Sequence, residues 1–381
     1  MAVHPLFKRL VALGDSVSQG TQNVGVSVRS QPYSLPALLA RQAGADFPLP
    51  LLAEPGYPPH TDQLGTVIRS RVTHPELLQG QRLEPRLRPR NFAIAGARLA
   101  DVAGLTCANM GRLPRTTAVR RMMRLVLNPL GHPAWETMTQ VDRTVAEEPT
   151  AVLLWAGAND VLEALFYPHY GVTTPADFER LWRRLIGRLL AETAARIIVL
   201  TIPDVTTMPL LRVWQTRPAL QQRIRRTVQR FNQSIVASQE LSERVLVVDL
   251  QPEMTRIAAE GVLVDGWRLP YQVKRGRLDF EPLRGVPGVV TSGGLISFDG
   301  LHPTRIGYGV LANVVLADLR ARWGVELPPV DLEELARGET MLLKPDPYSW
   351  PLLRGYLRSV YGRGVRELER GFWPAGLTPG G

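Results

Sequence analysis

Residues 10–16 read LVALGDS, and the rest of the chain is organised around this stretch. Four apolar residues in succession, stopped by a Gly-Asp-Ser turn signal, predict a strand that is buried on both faces, as the strands of parallel sheets are. Gly14 allows the backbone to turn sharply where the strand ends. Ser16 then lies just beyond the carboxyl end, at the edge where open α/β sheets bind ligands. A serine at this place is either a helix cap or a nucleophile.

Five apolar runs of strand length alternate with helical patterns along the chain. The runs occupy residues 10–14, 91–97, 151–157, 196–202 and 245–250. The clearest helical pattern lies within residues 218–240, where an apolar stripe leaves the arginines on the solvated face. Alternation of this kind predicts a five-stranded parallel sheet with helices on both faces, a three-layer α/β/α domain over residues 9–325.

Three segments fall outside this alternation. Residues 46–90 hold a succession of prolines that break regular elements, but their apolar residues require burial. We therefore expect this insertion to lie over the domain surface or beside the active site. Residues 262–295, rich in glycine, proline and charge, predict a loop or hairpin. We expect residues 326–381, rich in proline, glycine and aromatic side chains, to form a C-terminal extension that packs on the main domain.

The composition is that of an ordinary globular chain. It has 381 residues, of which 45% are hydrophobic and 21% charged. The net charge of +10 is carried almost entirely by arginine. Because these arginines are scattered and do not interleave with aromatic residues as a base-stacking surface requires, we expect no nucleic-acid partner. We favour codon usage or adaptation of the surface to heat as the explanation of the positive charge.

Cysteine usage and the amino terminus bear on the cellular compartment. The single cysteine, Cys107, excludes an internal disulfide and is compatible with a reducing compartment. Residues 1–8 lack the pattern of a signal peptide, and no segment approaches a charge-free length that would span a membrane. We therefore expect a cytoplasmic protein, and the sequence leaves both export and the oligomeric state open.

Groups capable of chemistry follow three of the predicted strands where each strand ends. They are Ser16, the amide of Gly96 and the side chain of Asn159. Far downstream, Asp299 and His302 lie at the start of the last predicted helix. Because the carboxyl ends of parallel strands meet at one edge of the sheet, we expect all five residues in one neighbourhood.

This combination of residue types suits nucleophilic catalysis. A serine hydroxyl is a weak nucleophile and needs an adjacent base, which His302 would supply. Asp299, three residues earlier, would lie beside the imidazole on one helical turn and stabilise its charged form. The amides of Ser16 and Gly96 and the side chain of Asn159 would donate hydrogen bonds to a developing oxyanion.

Each motif alone is a weak signal, since Asp-x-x-His more often starts a helix than forms a dyad. Taken together and in order, four blocks resemble those of the SGNH, or GDSL-type, serine hydrolases. The blocks are Gly14–Ser16, Asn91–Gly96, Gly157–Asp160 and Asp299–Thr304. The resemblance implies a flavodoxin-like fold in which Ser16 is the nucleophile and His302 the base oriented by Asp299. It places Gly96 and Asn159 in the oxyanion hole. The residue after the serine is Val17 instead of the leucine in the family name, a change that keeps the position apolar.

Other site classes lack their signatures. Ser16 is not part of a G-x-S-x-G nucleophile elbow, and neither G-x-G-x-x-G nor a Walker A loop follows the first strand. The remaining histidines are dispersed without ligand spacing, so we expect neither a metal nor another cofactor. Of these, His60 and His74 in the insertion are expected at the surface. Asp15 and Asp160 are expected to organise turns.

The sequence therefore predicts a serine esterase or lipase that hydrolyses carboxylic esters through an acyl-enzyme. The expected substrate is a small or lipid-like ester, with an acyl groove lined by the insertion and by residues 122–126. Two alternatives stay open. One is a carbohydrate O-deacetylase that uses the same apparatus, and the other is a non-catalytic module that binds acyl groups or a partner protein.

Overall fold

The structure, a computed structural model, describes residues 2–60, 79–111, 117–166, 172–208, 210–211, 218–264, 276–278, 284–286, 289–292, 294–297 and 299–339. Its centre is a parallel sheet of four strands that neighbour one another in chain order. They are β1 (Leu10–Gly14), β2 (Ala151–Trp155), β3 (Arg196–Leu200) and β4 (Val245–Val248).

Helices cover both faces of this sheet. In chain order they are α1 (Ser16–Gln19), α2 (Leu35–Gln42), α3 (Leu99–Gly104), α4 (Thr117–Leu127), α5 (Gln140–Ala146), α6 (Asn159–Phe166), α7 (Pro175–Glu192), α8 (Pro218–Ala237), α9 (Gln251–Glu260), α10 (Arg305–Trp323) and α11 (Leu332–Gly338). The architecture is thus the predicted three-layer α/β/α arrangement.

Alternate residues of each strand enter two different hydrophobic cores. In β2, Val152 and Leu154 pack into one core and Leu153 into the other. The first core is completed by α3 to α8, and the second by α2, α9, α10 and α11. Because side chains alternate across a strand, a strand that is apolar at every position must be covered on both sides. The continuous apolar runs in the sequence therefore predicted the layering correctly.

The prediction of five strands was wrong by one. Residues 90–94 run parallel to β1, and Ala12 accepts a hydrogen bond from the Phe92 N–H, but pairing is limited to one isolated bridge between Ala12 and Asn91. Pairing stops there because the Gly14 N–H, which a second bridge would need, donates to Gln140 Oε1 instead. On the outer side of the segment, side chains take the place of a further strand. Asn91 Oδ1 accepts from the Ala93 amide, and Gln19 Oε1 accepts from the Ala95 amide.

Two other predictions about regular elements are confirmed. Helix α8 turns Ile224, Val228, Phe231 and Ile235 into the core. Within residues 262–292, short antiparallel pairs form between Val262–Val264 and Gly276–Leu278 and between Arg284–Val286 and Val289–Ser292, as a hairpin prediction requires. Among the helices that the structure describes, none combines the length and apolar character that a membrane span needs.

The last helix of the repeat begins later than predicted. Helix α10 starts at Arg305, and the Thr304 side chain caps it by accepting from the Gly307 N–H. Asp299 and His302 therefore lie in a turn that precedes the helix, and not on its first turn. The turn is closed by main-chain hydrogen bonds between Ser297 and both Gly300 and His302.

The described part of the insertion, residues 46–60 and 79–90, is irregular but ordered around buried side chains. Leu52 is fully buried and bridges to Arg82. The expectation that His60 lies at the surface was wrong, because its side chain is fully buried. Both ring nitrogens have hydrogen-bond partners, which is what makes burial of a polar ring tolerable. His74 lies outside the described residues.

The described part of the C-terminal extension ends at Glu339. Helix α11 packs against α10, with Leu335 buried in the second core. Glu339 follows this helix, and only 2% of its surface is exposed. Residues 340–381 lie outside the described residues.

Candidate active site

Gly14 and Asp15 deliver Ser16 to the sheet edge. Gly14 has φ = +135°, and a Cβ at this position would lie 2.1 Å from the Trp155 carbonyl oxygen, so only glycine fits. Gln140 fixes the end of β1 because its side chain accepts from the Gly14 N–H and donates to the Gly14 carbonyl. Asp15 caps α1 by accepting from the Val17 N–H. Ser16 follows as the first residue of α1.

Ser16, His302 and Asp299 form a continuous hydrogen-bonded relay. Ser16 Oγ lies 3.0 Å from His302 Nε2, and His302 Nδ1 lies 2.8 Å from Asp299 Oδ2. Because an ionised carboxylate only accepts hydrogen bonds, Nδ1 carries the hydrogen of the neutral ring and Nε2 is left to accept from the Ser16 hydroxyl. This is the tautomer that a general base for Ser16 requires.

Four N–H donors surround the Asp299 carboxylate. Oδ1 accepts from the main-chain amides of Leu301 and His302, each at 2.8 Å, and Oδ2 accepts from the Val24 amide at 2.7 Å as well as from the His302 ring. Burial alone would raise the pKa of Asp299, but the charge of His302 and the hydrogen bonds from His302 and Leu301 lower it to about 2. Asp299 is therefore ionised at neutral pH.

Two further buried carboxyl groups, Asp15 and Asp160, organise turns beside the relay. Burial raises the pKa of Asp15 to about 7 and that of Asp160 to about 6. Asp160 accepts from the Leu99 N–H and from the Thr173 hydroxyl, and so joins the start of α3 to the segment before α7. The Asp15 cap of α1 is the corresponding contact at Ser16.

The expected oxyanion donors are placed as follows. Asn159, at the start of α6, lines the same pocket as Ser16, and its Nδ2 donates one hydrogen to the Ala97 carbonyl at 3.0 Å. Gly96 has φ = +80° and does not line the pocket, but it adjoins Ala97 in the chain. Among the residues that the structure describes, the N–H groups of Ser16 and Gly96 have no hydrogen-bond acceptor.

An apolar pocket opens beside Ser16 and His302. Its cavity volume is about 90 Å³. Most of its wall consists of apolar side chains from β2, the loop after β3, α9, the loop before Asp299 and α10. They include Trp155, Leu162, Val205, Met208, Leu250, Met254, Ile257, Leu295, Ile296, Leu301, Val310, Leu311 and Val314.

Sequence reasoning located the relay but not the pocket. Residues 122–126 and the insertion were expected to line an acyl groove, yet no described residue of either lines this pocket. Met122, Met123 and Val126 are buried in the first core. The residues that do line the pocket, such as Met254 and Ile257 on α9, show the same helical spacing as any packed helix. That spacing carries no signal of a pocket.

Sequence reasoning also missed Val24, because its contribution is a main-chain amide that no motif marks. Regarding metals, the described part of the chain contains no group of three or more histidine, cysteine, aspartate or glutamate side chains arranged to hold an ion.

Comparisons with known proteins show the family of the chain. The family described as GDSL-like lipase/acylhydrolase has a model that matches residues 10–315. No curated protein matches the sequence. Solved structures that resemble the chain include LAE5, an alpha/beta hydrolase enzyme from the metagenome of Lake Arreo, with 16% identity and a TM-score of 0.41, covering 82% of this chain and 94% of that one.

A second similar structure is Axe2, an acetylxylan esterase from Geobacillus stearothermophilus. It has 16% identity and a TM-score of 0.39, and the alignment covers 84% of this chain and 95% of that one. At these scores the two structures do not bear on the substrate. The family match spans the whole sheet together with Ser16, Asn159, Asp299 and His302. The chain therefore belongs to the GDSL-like lipase/acylhydrolase family.

Proposed function

We propose that this protein is a serine esterase that hydrolyses carboxylic esters through an acyl-enzyme, with Ser16 as nucleophile, His302 as base and Asp299 as the group that orients His302. The observation that carries the proposal is the relay of two hydrogen bonds, 3.0 Å and 2.8 Å long, at the wall of an apolar pocket. A buried hydroxyl, a correctly held imidazole and an ionised carboxylate are the parts that acyl transfer needs.

In the first half of the reaction, Ser16 Oγ attacks the ester carbonyl carbon while His302 Nε2 takes the hydroxyl proton. Asp299 stabilises the imidazolium that results. The tetrahedral intermediate then collapses, the bond from the carbonyl carbon to the alcohol oxygen breaks, and His302 returns the proton to the departing alcohol. The acyl group is now esterified to Ser16.

The second half repeats these steps with water as the nucleophile. His302 takes a proton from the water as its oxygen attacks the acyl carbon, and then donates that proton to Ser16 Oγ as the carboxylic acid leaves. In both halves the negative charge that develops on the carbonyl oxygen requires preorganised donors. We assign this role to the N–H groups of Ser16 and Gly96 and to the Asn159 carboxamide.

For the substrate, the pocket favours an apolar acyl chain over an acetylated sugar. Its wall offers few polar partners for sugar hydroxyls beyond the relay, Asn159 and Glu253, and the last of these is engaged by Arg256. An apolar wall binds hydrocarbon by the removal of apolar surface from water. At roughly 10–15 Å³ for each water-sized group, a cavity of about 90 Å³ holds about six to nine such groups, which suits an acyl chain of medium length.

The decisive experiment compares Ser16→Ala with Ser18→Ala on a series of p-nitrophenyl esters from acetyl to dodecanoyl and on an acetylated xylo-oligosaccharide. Ser18 is a matched control because it is a buried serine two residues away whose hydroxyl has no hydrogen-bond partner among the described residues. We expect Ser16→Ala to lose hydrolysis and labelling by a fluorophosphonate probe while its Tm stays near that of the wild type, and Ser18→Ala to keep both activities.

The two alternative functions give different outcomes in the same assay. Wild-type turnover in Ser16→Ala, or no labelling of the wild type, would refute the serine mechanism and leave a binding module as the better account. A preference for the acetylated sugar over the butanoyl to octanoyl esters would refute the assignment of an acyl pocket and favour a deacetylase.

A further inference from the structure

Residues 22–25 form a tight turn in an unusual backbone conformation. Gln22 and Gly25 exchange both main-chain hydrogen bonds, each 3.0 Å long, and the two residues between them, Asn23 and Val24, have φ of +51° and +66°. These are the features of a type I′ turn, whose second central position usually holds glycine. A β-branched residue in this region is strained, and such strain persists only where the surroundings enforce it.

The turn contacts the loop that carries the relay at two places. The Asn23 N–H donates to Ser297 Oγ at 3.1 Å, and the Val24 N–H donates to Asp299 Oδ2 at 2.7 Å. Oδ2 is also the oxygen that faces the His302 ring. Val24 and His302 therefore hold one oxygen atom between two donors, so the carboxylate cannot rotate away from the imidazole without losing the Val24 hydrogen bond.

His60, from the proline-rich insertion, holds this turn from one side. Its Nδ1 lies 2.8 Å from the Gln22 carbonyl oxygen, and its Nε2 lies 2.8 Å from Ser27 Oγ. Because a carbonyl oxygen only accepts, Nδ1 donates to it. The ring packs so closely that a Cβ on Gly25 would lie 2.5 Å from it. Glu54, from the same insertion, accepts from the Ser27 hydroxyl.

Glu339, from the C-terminal extension, holds the turn from the other side. Its Oε2 accepts from Gln22 Nε2 at 3.1 Å and from the main-chain N–H of Arg305 at 3.2 Å. Arg305 is the first residue of α10, directly after the loop that carries Asp299 and His302. One buried carboxylate thus joins the turn at residues 22–25 to the end of that loop.

We propose that Val24 is a positioning residue whose main-chain N–H fixes Asp299 against His302, and that His60 and Glu339 hold the turn in the strained conformation that presents it. This rests on the proposed function of the relay. It assigns a purpose to the insertion and to the described part of the C-terminal extension, since each contributes one buried polar side chain that holds the turn.

The sharpest test replaces Val24 by its α-hydroxy acid, which turns one amide into an ester and removes only the N–H. The same replacement at Val28 is the matched control. Like the Val24 N–H, the Val28 N–H makes one hydrogen bond, but its acceptor is the Leu52 carbonyl and not Asp299. We expect kcat to fall about tenfold at unchanged KM for position 24 and to stay within about twofold for position 28. In an Asp299→Asn background the replacement at 24 should cause no further loss of kcat, because residues that act together are not additive.

Side-chain variants test the two residues that hold the turn. We expect His60→Ala and Glu339→Ala to lower kcat with KM unchanged. The control variants His132→Ala and Glu333→Ala change exposed side chains and should leave kcat unaltered. Val24→Gly retains the N–H and removes the strain, so it should lose less kcat than the α-hydroxy acid at the same position. This variant keeps the test informative if His60→Ala fails to fold.

A readout that does not depend on hydrolysis separates this inference from the proposed function. In the wild type, NMR should show the His302 Nδ1 proton exchanging slowly with water, and the α-hydroxy acid at position 24 should speed this exchange at least tenfold. An unchanged exchange rate, or equal losses of kcat at positions 24 and 28, would overturn the role of Val24. If the wild type hydrolyses no ester but the replacement at position 24 still speeds exchange of the His302 Nδ1 proton, only the esterase assignment is refuted.

Discussion

The Asp299 carboxylate accepts hydrogen bonds from both the main-chain amide and the ring of His302. Oδ1 accepts from the His302 amide and Oδ2 accepts from His302 Nδ1, both at 2.8 Å. One carboxylate therefore holds His302 at two points. The short Asp-x-x-His spacing allows this because Leu301 and His302 precede α10, so that their amides donate to the carboxylate and not to main-chain carbonyls one turn earlier.

The first prediction concerns Asp299→Asn and His302→Ala. In Asp299→Asn the amide oxygen should stay with the two main-chain donors at Oδ1, which points the NH₂ group at His302 Nδ1. The ring must then carry its hydrogen on Nε2, where it cannot accept the Ser16 proton. We expect kcat to fall about 10³- to 10⁴-fold, and about 10⁵- to 10⁶-fold in His302→Ala, which removes the base itself.

Steady-state kinetics with a butanoyl ester measure both variants, and circular dichroism checks that each is folded. Equal losses in the two variants would contradict the view that Asp299 acts only by orienting and stabilising His302.

The second prediction concerns the glycine that ends β1. A Cβ at Gly14 would lie 2.1 Å from the Trp155 carbonyl oxygen, and the φ of +135° is unfavourable for any other residue. We expect Gly14→Ala to lower the free energy of unfolding by about 3 kcal/mol or more, or to prevent folding, because the backbone of β1 must move away from β2.

Gly187→Ala is the matched control for this change. Gly187 lies inside α7 with open space around the added methyl group, so alanine should raise the free energy of unfolding by about 0.5–1 kcal/mol. Urea titration of both variants gives the comparison. If the two variants change the free energy of unfolding by similar amounts and in the same direction, close packing is not the reason for glycine at position 14.

The sequence was informative where contacts are local or periodic. The apolar runs predicted the strands and their double-sided burial, and the order of the Ser16, Asn159 and Asp299–His302 blocks predicted which groups meet at the sheet edge. It was less informative where side chains substitute for backbone pairing. The Gly14 amide bonds to the Gln140 side chain, so the apolar run beside β1, which resembles a strand, forms only a bridge.

The contacts that complete the site join residues far apart in the chain. Val24 meets Asp299 across 275 positions, and Gln22 meets Glu339 across 317. His60 was expected at the surface because neither composition nor spacing reveals that Ser27 and the Gln22 carbonyl satisfy its ring. Such pairings become visible only once the fold brings the segments together.

The third prediction concerns chain-length selectivity. Met254 on α9 is half-buried and lines the apolar pocket. The larger ring in Met254→Trp should occupy part of the cavity of about 90 Å³. We expect kcat/KM for the octanoyl ester to fall at least tenfold while that for the acetyl ester changes by less than about threefold, because only the longer chain loses buried apolar surface.

Ala259→Trp is the matched control, since residue 259 lies on the exposed side of the same helix and does not line the pocket. It should leave the ratio of octanoyl to acetyl kcat/KM unchanged. A uniform loss across all chain lengths in Met254→Trp would indicate damage to the relay and would contradict the assignment of an acyl site.

The fourth prediction concerns the pH dependence of stability caused by Asp15. Burial raises its pKa from 3.8 to about 7, so between these values the folded state keeps a proton that the unfolded state has lost. Stability must therefore fall as the pH rises through this interval, by up to about 4 kcal/mol above pH 7.

Asp15→Asn keeps an oxygen that can accept from the Val17 N–H but has no charge to bury. Its Tm should match the wild type near pH 4 and exceed it increasingly up to pH 8. Differential scanning calorimetry at intervals of pH measures this difference, with the exposed Asp46→Asn as the control for removal of one negative charge. A difference in Tm between wild type and Asp15→Asn that is the same at pH 4 and pH 8 would show that Asp15 does not titrate in this range.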